Sequence, residues 1–128
     1  MKKFITALRV RYQETDQMGV VYYANYLVWF EVARTEYLRG LGISYKELEK
    51  NGIFLVVAES NCIYKSPAGY DDLIEIESEI TDIKNSSLIF KYLVRRADKL
   101  LAEGKTAHVF VNKSGRPTRI PVFLREIL

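Results

Sequence analysis

A single cysteine and a single histidine, with only three prolines and seven glycines, are spread over 128 residues, and each shortage removes a class of protein. Cys62 has no internal partner, so a disulfide framework is excluded and a reducing compartment is expected. One histidine and one cysteine cannot supply a typical zinc site. With 48% hydrophobic and 27% charged residues, disordered and collagen-like chains are excluded too. The apolar run Val20 to Phe30 is too short to span a bilayer, which takes about 20 residues. Phe4 to Val10, behind two lysines, is too short and interrupted for a signal peptide. The net charge of +3 is modest and the basic residues are scattered, which argues against a nucleic-acid partner. There is no Walker loop, no G-x-S-x-G elbow and no G-x-G-x-x-G. The expectation is a single cytoplasmic, soluble domain with no metal and no cofactor.

What is there is periodic. Phe4 to Tyr12 alternates as a strand does, and Gln13 to Gly19 reads as a loop. From Tyr23 to Leu41 the period lengthens: Tyr26, Phe30, Ala33, Tyr37 and Leu41 recur at helical spacing, ended by Gly40 and Gly42. The first turns of this helix are apolar nearly all round, which predicts that they are buried. Ser44 to Asn51 reads as a short second helix. Four strand-like stretches follow, Ile53 to Lys65, Leu73 to Ile83, Leu88 to Ala97 and Leu100 to Val111, with Pro121 to Leu128 as a last helical turn. Strand, long helix, then four hairpin-like strands predict an α+β domain with one antiparallel sheet. One sheet and one helix leave edges in need of cover, which predicts a homo-oligomer.

His108, inside "TAHVFVN", reads as a satisfied sheet histidine, and Cys62 as a small sheet or core residue. Carboxylates remain. Asp71-Asp72 is explained by turn chemistry. Glu14-Thr15-Asp16, directly ahead of "VVYYANYLVWF", has two readings. It can be a surface loop that caps the coming helix. It can equally be a base or nucleophile held against an apolar wall, with helix N–H groups ready for a developing oxyanion. Gly19 lets the backbone turn tightly between the two parts.

The stretch "YQETDQMGVVYYANYLVWFEVARTEYL", with "YKSPAGYDDLIEIE" and "GRPTRIP" after it, resembles the hotdog-fold acyl-CoA thioesterases of the 4-hydroxybenzoyl-CoA thioesterase group. It is most similar to their Tol-Pal-associated bacterial branch, whose pattern runs D-T-D-x-x-G-V-V-Y-H-A-x-Y and then E-x-A-R-x-E. The resemblance implies a hotdog fold, a long central helix wrapped by a five-stranded antiparallel sheet, in dimers or tetramers with sites at the subunit interface. It implies an acyl-CoA substrate hydrolysed to free acid and CoA. Asp16 would be the general base or nucleophile, Gly19 the motif glycine and the Tyr23 backbone N–H the oxyanion donor. Glu14, which replaces the motif's first Asp, would support the loop and, with Val21, Asn25, Glu31 and Lys84, lie on the substrate side. Tyr23 stands where histidine is frequent, so the branch, and with it the acyl group, stays open. Lys65, Lys113 and Arg116 are further candidates for the CoA phosphates. The competing readings are a hotdog dehydratase, which would need a histidine near the helix, and a non-catalytic module binding acyl-CoA or acyl carrier protein. A peripheral envelope complex is a further candidate partner.

Overall fold

The structure, a computed structural model, describes residues 2–128. Alternating exposure opens the chain as β1 (Lys3–Arg9), shorter than its sequence pattern because Tyr12–Glu14 winds into a 3-10 turn. After the loop come α1 (Asn25–Gly40) and α2 (Tyr45–Lys50), then β2 (Phe54–Tyr64), β3 (Leu73–Ile83), β4 (Ser87–Arg96) and β5 (Lys99–Val111), and last α3 (Val122–Ile127). The five strands form one antiparallel sheet in the order β1-β3-β4-β5-β2. The chain is thus the α+β arrangement expected, a long helix lying in the curve of one sheet.

The helix is where its apolar spacing puts it. Tyr26, Trp29, Phe30, Ala33 and Tyr37 line one face of α1 and are buried against Ile74, Ile76, Phe90, Tyr92 and Phe110 of the sheet. Phe30 stacks on Tyr92 with ring centroids 4.2 Å apart and planes within 5°. That approach requires Gly104 beneath it: a Cβ there would stand 2.6 Å from the Phe30 ring and 2.5 Å from the Asn61 carbonyl. The C-terminus closes as a Schellman motif, with the Ile43 N–H donating to the Leu38 carbonyl at 2.9 Å and Gly42 at φ +84°.

Two expectations need correction. Regular helix starts at Asn25, two residues later than the periodicity of Tyr23 indicates, because Tyr23 and Ala24 form a turn. The apolar first turns of α1 are also not wholly buried: Leu27 is 38% and Val28 50% exposed. A single sheet covers one face of a helix, and among the described residues nothing buries Leu27 or Val28 on the other. β2, an edge strand, likewise leaves Val56, Val57 and Ile63 exposed.

Candidate active site

The loop between β1 and α1 is a small ladder of its own. Thr15 bridges Val21, the Asp16 N–H donates to the Val20 carbonyl at 2.8 Å, and the Gly19 N–H donates to the Asp16 carbonyl at 3.0 Å. Gly19 makes the reversal at φ +79°, which a side chain would strain. The loop is docked by its far strand: the Val21 N–H donates to the Ala68 carbonyl at 2.9 Å, and Val20 bridges Gly69. The β2–β3 connection that receives it is braced in turn. Asp72 accepts from the Gly69 N–H at 2.8 Å and from Arg96 Nη1 at 2.8 Å. The Gly69 N–H, followed by the Arg96 guanidinium, holds the Asp72 carboxyl below the usual carboxylate range.

Asp16 is half-buried at the tip of this ladder. Its Oδ1 accepts the Met18 N–H at 2.9 Å and the Val20 N–H at 3.4 Å, which fixes the carboxylate plane. No described residue donates to its Oδ2. Asp16 lies on the wall shared by two clefts. One, of about 360 Å³, is lined by Val20, Val21, Tyr23, Tyr26, Tyr64 and Lys65 among others. The other, of about 780 Å³, runs past Tyr12, Thr15, Tyr22 and Asn25.

Glu14 sits behind the loop, 5% exposed. Its Oε2 accepts the Trp29 indole N–H at 2.9 Å and its Oε1 the Arg11 N–H at 2.8 Å, with the Arg11 guanidinium 3.7 Å away. Its carbonyl accepts both the Tyr22 N–H and Asn25 Nδ2 at 2.8 Å. One residue thereby ties the acid loop to the first turn of α1. A buried carboxylate needs such partners, because leaving one unpaired costs several kcal/mol, on the order of 3 or more. Glu14 therefore faces inward, lines neither of the two clefts beside Asp16, and ties the loop to α1.

Of the other residues singled out in the sequence, Asp16, Val21 and the Tyr23 side chain share the smaller cleft, and Asn25 faces the larger one. The Tyr23 N–H donates to no acceptor among the described residues. Lys65 also lines the smaller cleft. Glu31 and Lys84 are not brought to Asp16 within one chain. Glu31 lines a separate cleft of about 180 Å³ with Arg34, Tyr45 and Leu55. Lys84 is in the β3–β4 turn, 3.9 Å from Asp82, at the far end of β3 from Leu73, which pairs with Arg9 beside the loop. At about 3.3 Å per residue that separation is about 30 Å. Sequence reasoning missed Tyr26, Trp29 and Tyr64. Trp29 is signalled by its place on the buried helical stripe, but nothing in the spacing ties residue 64 to residue 23.

Other groups are disposed of by burial. Burial pushes the Cys62 thiol up, away from a reactive thiolate. It pushes the Tyr26 and Tyr64 phenols up as well, so both are neutral donors near pH 7. His108 is fully buried in β5, with Nε2 2.7 Å from the Thr106 hydroxyl, which in turn bonds the Tyr92 hydroxyl at 2.6 Å. Its Nδ1 has no partner among the described residues, so the histidine is only half satisfied.

A helix wrapped by one five-stranded antiparallel sheet is the arrangement of the hotdog-fold thioesterases. A family model described as the thioesterase-like superfamily matches residues 10–128, and the chain belongs to that family. The acyl-CoA thioester hydrolase YbgC of Escherichia coli O6:H1 is 39% identical over 106 residues, covering 82% of this chain and 79% of that protein. Among solved structures, a DHNA-CoA thioesterase from Staphylococcus aureus superposes with a TM-score of 0.93 at 32% identity, over 98% of this chain and 86% of that one. A protein of Aquifex aeolicus gives 0.94 at 34%, over 98% of both chains. The chain is accordingly an enzyme of the thioester-hydrolase class. No helix among the described residues is long and apolar enough to cross a membrane.

Proposed function

We propose that the protein hydrolyses an acyl-CoA thioester to the free acid and CoA, with Asp16 as base or nucleophile and the Tyr23 N–H as oxyanion donor. The observation that carries this reading is a pair of unspent groups at one cleft: Asp16 Oδ2, to which no described residue donates, and the Tyr23 N–H, which has no acceptor among them. A thioester carbonyl placed between them would meet a fixed carboxylate on carbon and a backbone donor on oxygen. Such donors are worth most when they are preorganised, as here on a turn held by Glu14. Asp16 Oδ2 either takes the proton of an attacking water or attacks the carbonyl itself to give an anhydride that water then opens. In both cases the thiolate leaves as the carbonyl re-forms, taking its proton from Asp16 in the first route and from solvent in the second.

The walls of the smaller cleft, Tyr23, Tyr26 and Tyr64, suit an apolar or aryl acyl group. The exposed Val56, Val57 and Ile63 of β2 and Leu27 and Val28 of α1 favour a second copy of the chain as cover. A dehydratase is disfavoured because His108 is buried in the sheet with Thr106.

The test is thiol release from a panel of acyl-CoAs by wild type and Asp16→Asn. The amide keeps size and the Oδ1 hydrogen bonds but is neither base nor nucleophile. Turnover should fall at least about 10²-fold with folding intact. A variant near wild-type rate would refute the assignment. Acyl-CoA binding without any thiol release by the wild type would instead make the protein a binding module.

A further inference from the structure

Helix starts leave orphan N–H groups that Ser, Thr, Asp or Asn usually cap. The capping position of α1 is Ala24, which has no side-chain oxygen to offer. Neither the Tyr23 nor the Ala24 N–H has an acceptor among the described residues. Apart from the Tyr22 N–H, which the Glu14 carbonyl accepts, the turn is held from its carbonyl side. The Tyr22 carbonyl accepts the Asn25 N–H at 2.9 Å, and the Tyr23 carbonyl accepts the Tyr26 N–H at 3.3 Å. That second carbonyl also accepts the Tyr64 hydroxyl at 2.9 Å, from the last residue of β2. The Tyr64 ring meets Tyr26 edge-on at 5.0 Å and Tyr23 at 6.4 Å, so the phenol is aimed by packing as well as by its hydrogen bond.

We infer that Tyr64 is a positioning residue for the oxyanion donor: its hydroxyl fastens the Tyr22–Ala24 turn by a carbonyl, leaving the Tyr23 and Ala24 amides both fixed and unspent beside Asp16. A side-chain cap would give comparable rigidity only by consuming the donors the reaction needs. Fastening by the carbonyl separates the two requirements. The strand that supplies the fastening is the sheet edge, so the oxyanion turn is anchored to β2 as well as to the acid loop.

The inference rests on the thioesterase reading above, and the experiment keeps the two apart. Tyr64→Phe preserves the ring and removes only the hydroxyl. With an acyl-CoA that the wild type turns over, kcat should fall about 3- to 10-fold, the worth of one neutral hydrogen bond, while KM stays within about twofold. Amide hydrogen exchange at Tyr26, whose N–H shares the same carbonyl, should quicken in the variant. An unchanged kcat overturns the inference even if exchange quickens, because the hydroxyl would then steady the turn without serving the chemistry. A raised KM at unchanged kcat overturns it too, by making Tyr64 a substrate contact. If the wild type releases thiol from no acyl-CoA, the functional reading fails instead. Exchange at Tyr26 then decides the fastening alone: quickened exchange upholds it and unchanged exchange overturns it.

Discussion

Acid should weaken this fold through His108 before it reaches most of the carboxylates. The imidazole is fully buried, and among the described residues its Nδ1 has no partner and no carboxylate offsets the Arg34 charge beside it. Burial, with a smaller push from the Arg34 guanidinium, lowers its pKa to about 4. In the unfolded chain it returns to about 6.5. Between these values the unfolded state binds the proton and the folded state does not, so stability drops as pH falls. The contribution is fully present above about pH 6.5, is lost on the way down to about pH 4, and changes no further below that. The gap, at about 1.4 kcal/mol per pH unit, amounts to about 3 kcal/mol in all. Urea denaturation of wild type and His108→Leu, at one protein concentration and in steps from about pH 7.5 to about pH 4.5, reads it directly. The variant shifts the absolute stability, but only the difference in slope matters, and the carboxylates common to both proteins cancel. Wild type should lose about 2 to 3 kcal/mol more than the variant over that range. Parallel curves would refute the account of a neutral, half-satisfied histidine.

Two further outcomes are expected. Tyr23→Phe keeps the backbone donor and should change kcat less than about threefold, whereas Tyr23→Pro removes the N–H and should cost about 10²-fold or more; equal damage from both would move the role to the phenol. Light scattering or sedimentation at micromolar concentration should show a dimer or tetramer, since β2 and the start of α1 expose Val56, Val57, Ile63, Leu27 and Val28; a fully active monomer would contradict that cover.

The parts of this molecule that repeat were legible in its sequence. Alternation marked β1 and β3, and steps of three and four marked Tyr26, Phe30, Ala33 and Tyr37, because those periods are imposed by the backbone itself. Gly19 and Gly42 marked their turns through positive φ. Direction was not legible. Glu14 reads as a surface acid, and only the folded chain shows its carboxylate turned to Trp29. Tyr64 and Tyr23 meet through tertiary folding alone. Lys84 and Glu31 were placed by motif position, and motif position carries no information about which end of a strand, or which copy, a side chain reaches from. The exposed apolar start of α1 was misjudged for a related reason: apolar spacing marks a surface that favours cover without marking whether this chain supplies it.

The strand order has a consequence for the way the site comes into being. Only β3, β4 and β5 form a local meander, whose pairings close over short stretches of chain. Both outer strands are recruited from far away: Phe4 lies opposite Ser78, and Leu55 opposite Phe110. Pairings of this kind must meet loop-closure entropy before they return any contact, so topology slows them. The acid loop depends on both, because it leaves from β1 and docks on the connection that leaves β2 at Ala68. The meander can therefore be in place while Asp16 still has no neighbours. The site is among the last features this topology can complete, and any perturbation that frees either outer strand dismantles it while the β3–β5 meander can still stand.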